Sequence, residues 1–213
     1  MIALKRKEIF KKSVSRYMNI DINKTIVGEF IELIQIDNDD AEMIYNWRIG
    51  LSGQFMNQPD GYSVEMQKQW MKSRPNNEIN YMIVDKKNRL KVGMVAIVGI
   101  SIQDKNAEIG RLLLAPEYLN KSNPYGLEAL KLCSNQILNV WNFHKICGNV
   151  LSENVAMLRL QKYLGMKEEG LLVDQKSIKG KLYNLHLVAL FKDDLQKCYL
   201  PRISMLLKAF TNG

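Results

Sequence analysis

The chain has few of the residues that build disulfide, metal or membrane-spanning structures. Its 213 residues include three cysteines and two histidines. Cys133, Cys147 and Cys198 are scattered and form neither a disulfide framework nor a metal-ligand pattern. The longest apolar run, Val92–Ile100, is too short to cross a bilayer, and no positively charged start leads into a signal-type apolar segment. We therefore expect a cytoplasmic protein in a reducing compartment, without a membrane span or a metal.

Acidic residues are also in short supply, with 22 Asp and Glu against 30 Lys and Arg, for a net charge of +8. The basic residues crowd into residues 1–23, which we interpret as an N-terminal extension, either a solvated tail or a docking helix. A nucleic-acid arm or a membrane-surface helix is the alternative. Because base-reading motifs and interleaved aromatic residues are absent, nucleic-acid binding is disfavoured. A cationic surface also attracts anionic small molecules such as nucleotides.

The order of apolar patterns predicts an α/β fold, with a mixed twisted sheet of about seven strands and helices on both faces. We expect one domain over residues 24–192 and a C-terminal helical extension over 193–213. The predicted strands are Thr25–Ile36, Ile79–Asp85, Leu90–Ile102, Ala107–Leu114, Lys145–Leu151, Met166–Asp174 and Lys181–Phe191. The predicted helices are Ala41–Arg48, Val64–Lys72, Gly126–Trp141, Glu153–Leu164 and Asp193–Phe210, the last bent at Pro201.

A short polar loop before the predicted helix Gly126–Trp141 is suited to binding an anion. Backbone N–H groups at a helix start lack intrahelical partners and can receive a phosphate. The loop runs Asn120-Lys121-Ser122-Asn123-Pro124-Tyr125-Gly126. Gly126 is its only glycine and Pro124 removes one donor, so we expect side chains to supply the missing donors.

The segment after the next predicted strand carries a family resemblance. Residues 153–166 read Glu-Asn-Val-Ala-Met-Leu-Arg-Leu-Gln-Lys-Tyr-Leu-Gly-Met, and upstream lie Ala107-Glu108-Ile109-Gly110 and Pro116-Glu117-Tyr118. This pattern resembles the GNAT superfamily of acyl-CoA N-acyltransferases, with Met166 in place of the usual aromatic residue. The resemblance implies the GNAT fold, splayed between its central strands. It also implies acetyl-CoA as co-substrate and direct attack by an amine in a ternary complex.

The resemblance also implies a set of residues around acetyl-CoA. Asn154 has two possible roles, a helix cap or a ligand of the pantetheine arm. A strand N–H near Leu112 or Leu113 would hold the charge that builds on the carbonyl oxygen. The full cofactor-binding set comprises Leu112, Leu113, Leu114, Asn120, Lys121, Ser122, Asn123, Tyr125, Gly126, Asn149, Asn154 and Gln161.

Glu108 is the candidate general base, since an ammonium acceptor must lose a proton before it attacks. The alternative is a carboxylate in an ion pair or in solvent. Strand alternation places Ala107, Ile109 and Leu113 on one face and Glu108 on the other. Gln161, the second candidate catalytic residue, takes the place where many relatives have a tyrosine acid. Its amide can hydrogen-bond the thiolate or the carbonyl but is too weak an acid to release a proton. Either another group such as Tyr125 or water would then protonate the thiolate, or protonation is not needed.

Two further residues, Tyr163 and Cys133, are less suitable as the general acid and as a nucleophile. Tyr163, two residues beyond Gln161, is rotated by about 200° around the helix and points away. Cys133 lies among apolar residues of the predicted helix, so core packing is favoured over an acyl-cysteine intermediate.

A second, shorter resemblance concerns the acceptor. Tyr45-Asn46-Trp47-Arg48 followed by Gln54-Phe55-Met56 is similar to GNATs that acetylate nucleotide-linked amino sugars of the pseudaminic-acid pathway type. This resemblance implies a small-molecule acceptor, a nucleotide-activated amino sugar, bound by Trp47, Arg48, Phe55 and Met56. The alternatives are a protein N-terminal acetyltransferase of the ribosomal-protein type and a non-catalytic GNAT-like binding module. The apolar C-terminal helix either makes a homodimer contact or packs on its own domain.

Overall fold

The computed structural model describes residues 24–50, 53, 55–56, 58–59, 61–178 and 180–211. Its single eight-stranded sheet has the order β1-β2-β3-β4-β5-β6-β8-β7, and all neighbours are antiparallel except β5 and β6. The strands are β1 (Ile26–Val27), β2 (Ile31–Gln35), β3 (Ile79–Asp85), β4 (Lys91–Ser101), β5 (Asn106–Leu114), β6 (Lys145–Leu151), β7 (Lys167–Ile178) and β8 (Lys181–Phe191). The predicted mixed α/β sheet is confirmed. The basic extension 1–23 lies outside the described residues.

Seven helices accompany the sheet in the described part of the chain. They are α1 (Ala41–Ile49), α2 (Val64–Ser73), α3 (Pro116–Leu119), α4 (Tyr125–Asn135), α5 (Val155–Leu164), α6 (Lys192–Asp194) and α7 (Leu200–Leu207). A π turn, Gln136–Val140, extends α4, and another, Leu195–Tyr199, joins α6 to α7. Short 3-10 turns cover Asn38–Asp40 and Lys208–Phe210. In the segments that the structure describes, no helix has the length and apolar character to cross a membrane.

The sheet separates two apolar cores. The first contains β-strand side chains together with α4 and the C-terminal segment, and the second lies beneath α1 and α2. Leu195, Tyr199 and Ile203 are buried in the first core. The C-terminal helix therefore packs on its own domain, the second of the two arrangements expected for it. Pro201 lies in the first turn of α7, directly after the π turn Leu195–Tyr199.

The first predicted strand, Thr25–Ile36, is wrong because the structure breaks it into β1 and β2 at a tight turn. The carboxylate of Glu128, in the first turn of α4, accepts backbone N–H groups of Glu29 at 2.6 Å, Phe30 at 2.8 Å and Ile31 at 2.8 Å. Gly28 gives this carboxylate room, since a Cβ there would lie 2.6 Å from its carboxyl carbon. An acid about a hundred positions away thus determines the turn.

The two central strands separate soon after they pair. Only Asn106–Glu108 of β5 pairs with Lys145–Cys147 of β6, although both strands continue further. This confirms the predicted splay between the central strands, and it leaves a gap that opens at Glu108.

A β-bulge in β5 follows directly after the point where the strands part. Arg111 and Leu112 together face one residue of β4, and Arg111 has a φ of +53°. The extra residue reverses the side-chain alternation, so Leu113 packs in the second core while Ala107 packs in the first. The expectation that Ala107 and Leu113 share one face is therefore wrong.

Candidate active site

A cleft of about 930 Å³ opens where β5 and β6 diverge. Helices α2 and α5 and the β7–β8 hairpin form its other walls. Five of the residues predicted to bind acetyl-CoA or take part in catalysis line the cleft: Glu108, Leu112, Asn149, Asn154 and Gln161. Three of the residues predicted to bind the acceptor also line it: Arg48, Phe55 and Met56. The structure thus brings these predicted residues together from five separate segments of sequence.

Glu108 lies where this cleft begins, and it is the last residue of β5 that pairs with β6. Its Oε2 accepts a hydrogen bond from Asn149 Nδ2 at 2.7 Å, across the gap between the strands. Burial raises the pKa of Glu108 above its ordinary value, while the Asn149 hydrogen bond and the charges of Arg111 and Lys176 lower it. A half-buried carboxyl with a raised pKa in a cleft has the properties of a general base.

Gln161 and Asn154 reach the cleft from α5. The Asn154 side chain accepts the backbone N–H of Met157 at 3.3 Å, so it caps the helix and also lines the cleft. Gln161 Nε2 lies 3.8 Å from where a Cβ on Gly148 would be. Its Oε1 is buried without a hydrogen-bond partner among the described residues. The close approach that Gly148 permits is instead to Val188 of β8, whose Cγ2 would lie 2.9 Å from a Cβ.

Three residues that were considered as the acid or the nucleophile, Tyr125, Cys133 and Tyr163, lie outside the cleft lining. The Tyr125 hydroxyl donates to Asp85 Oδ2 at 3.0 Å and does not line the cleft, so its suggested role as the acid is wrong. Burial and the contact with Asp85 raise the pKa of Tyr125 to about 12. Burial likewise raises the pKa of Cys133 to about 12, which disfavours a thiolate nucleophile. Tyr163 is 42 % exposed on the outer side of α5.

The predicted anion loop precedes α4 and lies outside the cleft lining. Asn123 Nδ2 donates to the carbonyl oxygens of Tyr118 at 2.7 Å and Lys121 at 2.8 Å, and its Oδ1 accepts the Tyr125 N–H at 3.2 Å. The Asn123 side chain therefore orders the loop, which corrects its expected role as a phosphate donor.

The rest of the cofactor set keeps its predicted assignment, which rests on the resemblance. Asn120, Lys121 and Ser122 are exposed at the loop, and Gly126 lies beside the ends of Leu112 and Leu114. The side chain of Leu113 is buried in the second core, so only its backbone is available to a ligand. A pyrophosphate at residues 120–126 stays a prediction.

The predicted acceptor residues divide into one core residue and three that line the cleft. Trp47 is 6 % exposed and packs in the second core, so its expected place beside an acceptor is wrong. The guanidinium of Arg48 lies 5.1 Å from the centroid of the Tyr62 ring, and burial lowers the pKa of Arg48. The hydroxyl of Tyr62 in turn donates to Oε1 of Gln67, whose side chain is fully buried.

The lining residues missed from sequence include Tyr62, Gln67, Trp70, Arg111 and Lys176. The guanidinium of Arg111 lies 5.1 Å from the centroid of the Trp70 ring. An arginine directly before the apolar run Leu112–Leu114 was a usable signal for Arg111. Nothing in the pattern pointed to Lys176, which reaches the cleft at a register shift in β7.

With this geometry established, comparison with known proteins identifies the family. Residues 31–167 match the family model described as acetyltransferase (GNAT) domain, so the chain belongs to this family. It is therefore an acyl-CoA-dependent N-acetyltransferase, with acetyl-CoA as its co-substrate. The splayed strands, the polar amide of Gln161 and the cleft are consistent with a thioester bound between β5 and β6.

Individual relatives are more distant. Spermidine N(1)-acetyltransferase from Vibrio cholerae is 23% identical over 184 residues, covering 86% of this chain and 88% of the relative. The structure of that organism's spermidine N-acetyltransferase with CoA and spermine has a TM-score of 0.69 at 20% identity, covering 79% of this chain and 99% of the other. A probable GNAT-family acetyltransferase from Chromobacterium violaceum has a TM-score of 0.70 at 16% identity, covering 82% and 89%.

Proposed function

We propose that this N-acetyltransferase acts on the amine of a nucleotide-activated amino sugar. The observation that carries the proposal is the pairing of guanidinium groups with aromatic rings along the acceptor side of the cleft. Arg48 lies over Tyr62 and Arg111 over Trp70, each at 5.1 Å. Because Arg111 is held by Glu78 and Asn80, the phosphate contact is assigned to Arg48. Aromatic rings are stacking surfaces for a base or sugar, and guanidinium groups are the preferred partners of phosphate.

The charge of the cleft supports an anionic acceptor. Among its described lining residues, Arg48, Arg111 and Lys176 are basic and Glu108 alone is acidic, while Glu78 behind the lining forms an ion pair with Arg111. A polyamine carries several positive charges, and bringing it here would place like charges together. Polyamine acetylation is nevertheless the second candidate, because the spermidine N(1)-acetyltransferase of Vibrio cholerae is similar over most of both chains.

The proposed reaction assigns one step to each polar group. Glu108 takes a proton from the acceptor ammonium, directly or through a water. The neutral nitrogen attacks the thioester carbonyl, so an N–C bond forms. As the C–S bond then breaks, the nitrogen releases its second proton to water, which leaves a neutral amide. A strand N–H near Leu112 or Leu113 holds the charge on the carbonyl oxygen. The sulfur leaves as thiolate and takes a proton from water, because the amide of Gln161 can donate a hydrogen bond but cannot release a proton.

A substrate panel tests the acceptor. Free-thiol release from acetyl-CoA is followed with UDP-glucosamine, a TDP-linked 4-amino sugar, spermidine and N-terminal peptides. We expect release with a nucleotide amino sugar at a rate well above that with spermidine. Release with spermidine alone would establish the second candidate, and release with peptides alone would indicate the ribosomal-protein type.

A binding measurement tests the nucleotide site without turnover. A nucleotide at a hundred times its Kd stabilises the folded state by about 2.7 kcal/mol. We therefore expect UDP or TDP to raise the melting temperature by roughly 5–10 °C. Arg48→Ala should remove the shift, whereas Arg89→Ala, which removes an exposed ion pair with Glu32, should keep it. Unchanged melting of the native protein with either nucleotide would contradict the proposal.

A further inference from the structure

Arg111 has a backbone conformation that its side chain does not favour. It lies in the β5 bulge with a φ of +53°, in the left-handed region where residues other than glycine are uncommon. Strained backbone of this kind persists when surrounding contacts hold it in place. The contacts of the Arg111 side chain therefore indicate which residues hold the bulge in this conformation.

The Arg111 side chain is tied to the segment that begins β3. Its Nη2 contacts Glu78 Oε2 at 3.0 Å and its Nη1 donates to Asn80 Oδ1 at 3.2 Å. Asn80 Nδ2 donates to Glu78 Oε1 at 3.0 Å, so the three side chains form a closed network. The Glu78 and Asn80 side chains are almost fully buried, and the Trp70 ring covers the guanidinium. A two-pronged contact of this kind fixes both the position and the orientation of the guanidinium.

Glu108 precedes the bulge by three residues and lines the same cleft. The groups that act on its carboxyl come from three strands: Arg111 on β5, Asn149 and the Cys147 thiol on β6, and Lys176 on β7. Arg111 is the one whose position is fixed by an ion pair, since Lys176 lies on an exposed hairpin.

We propose that Arg111 is a positioning residue for acetyl transfer. The fork formed by its Nη1 and Nη2 contacts with Asn80 and Glu78 holds the β5 bulge in place, and its positive charge acts on Glu108. The inference rests on the proposed role of Glu108 as the base. Burial alone would favour the protonated carboxyl, which cannot accept a proton. A fixed positive charge opposes that tendency, and the same side chain fixes the strand whose N–H groups face the acyl carbonyl.

Two substitutions separate the charge from the fork. Arg111→Gln removes the charge, so the carboxyl of Glu108 should titrate at higher pH than in the native protein. Arg111→Lys keeps the charge and loses the fork, so the titration should stay close to native while kcat falls roughly tenfold through misplacement of the strand. Arg89→Gln is the matched control, because Arg89 also has a positive φ and one ion pair but lies in the exposed turn after β3.

The readouts are the titration of ¹³C-labelled glutamate carboxyls by NMR, with Glu108→Gln to assign the signal, and the pH profile of thiol release with UDP-glucosamine. A joint rise of the Glu108 titration and of the acid limb of kcat/KM in Arg111→Gln supports the proposal. An unchanged titration in folded Arg111→Gln overturns it, as does native kcat in Arg111→Lys. A shifted titration with an unshifted acid limb would show that Glu108 is not the base, which overturns the catalytic assignment and this inference with it.

Discussion

Replacing Glu128 by glutamine tests the link between α4 and the β1–β2 turn. The carboxylate is 2 % exposed and accepts three backbone N–H groups, one on Oε1 and two on Oε2. Glutamine has nearly the same shape but one acceptor oxygen. If that oxygen occupies the Oε2 position, the N–H of Glu29 faces another N–H and loses its partner.

The cost follows from these three bonds. An unpaired buried donor costs about 1–3 kcal/mol. Replacing two charge-assisted bonds by neutral ones costs about 1 kcal/mol each. Glu128→Gln should therefore lower the free energy of unfolding by about 3–5 kcal/mol, which for a chain of this length lowers the melting temperature by roughly 10 °C.

Urea unfolding measures this loss, with the midpoint and slope fitted separately. Glu117→Gln is the matched control, because Glu117 is exposed in the first turn of α3 and should change stability by less than about 0.5 kcal/mol. Since Glu128 anchors the first turn of α4, the KM for acetyl-CoA should rise more than that of the acceptor. A native unfolding midpoint in Glu128→Gln would refute the reasoning.

Three further substitutions test the site. Tyr125→Phe removes the hydrogen bond to Asp85 and should cost about 1–2 kcal/mol in urea unfolding while leaving kcat within twofold, whereas an acid would lose far more. Gly148→Ala places a Cβ 2.9 Å from a β8 side chain and should cost about 1–3 kcal/mol by the same measurement. Asn149→Ala removes a hydrogen bond that lowers the pKa of Glu108, so the acid limb of kcat/KM should move to higher pH; an unmoved limb would contradict this.

Local patterns were sufficient to predict most elements of the fold. Alternating and continuous apolar runs gave β3, β6 and β8 with their observed bounds, because each strand is flanked by turn residues or charges that end it. The β1–β2 break was not predictable in this way. It depends on a carboxylate from α4, and neither Gly28 nor Glu128 indicates the contact by itself.

The same limit explains what was missed in the site. The alternation of inward-facing and outward-facing side chains along β5 reverses at the bulge. Because no sequence motif identifies a bulge, Leu113 was predicted on the wrong face. Trp47 and Arg48 are adjacent on α1, yet one packs in the core and the other lines the cleft. A short motif identified the helix correctly but could not fix its rotation, because the packing of α1 against the sheet decides which side chain faces inward.

The proposed base, Glu108, and the gap between β5 and β6 form one structural unit. Glu108 and Cys147 are the last paired residues of the parallel strands, and the Glu108–Asn149 hydrogen bond continues the contact by side chains alone. Beyond this point the β5 bulge turns the strand away, which leaves backbone groups of both strands available to a ligand. The carboxylate therefore lies at the point where β5 and β6 separate. The pairing of these two strands sets both its burial and its distance from a thioester bound in the gap. A change in strand pairing would alter both at once, because the two groups that act on this carboxyl, Arg111 and Asn149, lie on the two strands that diverge there.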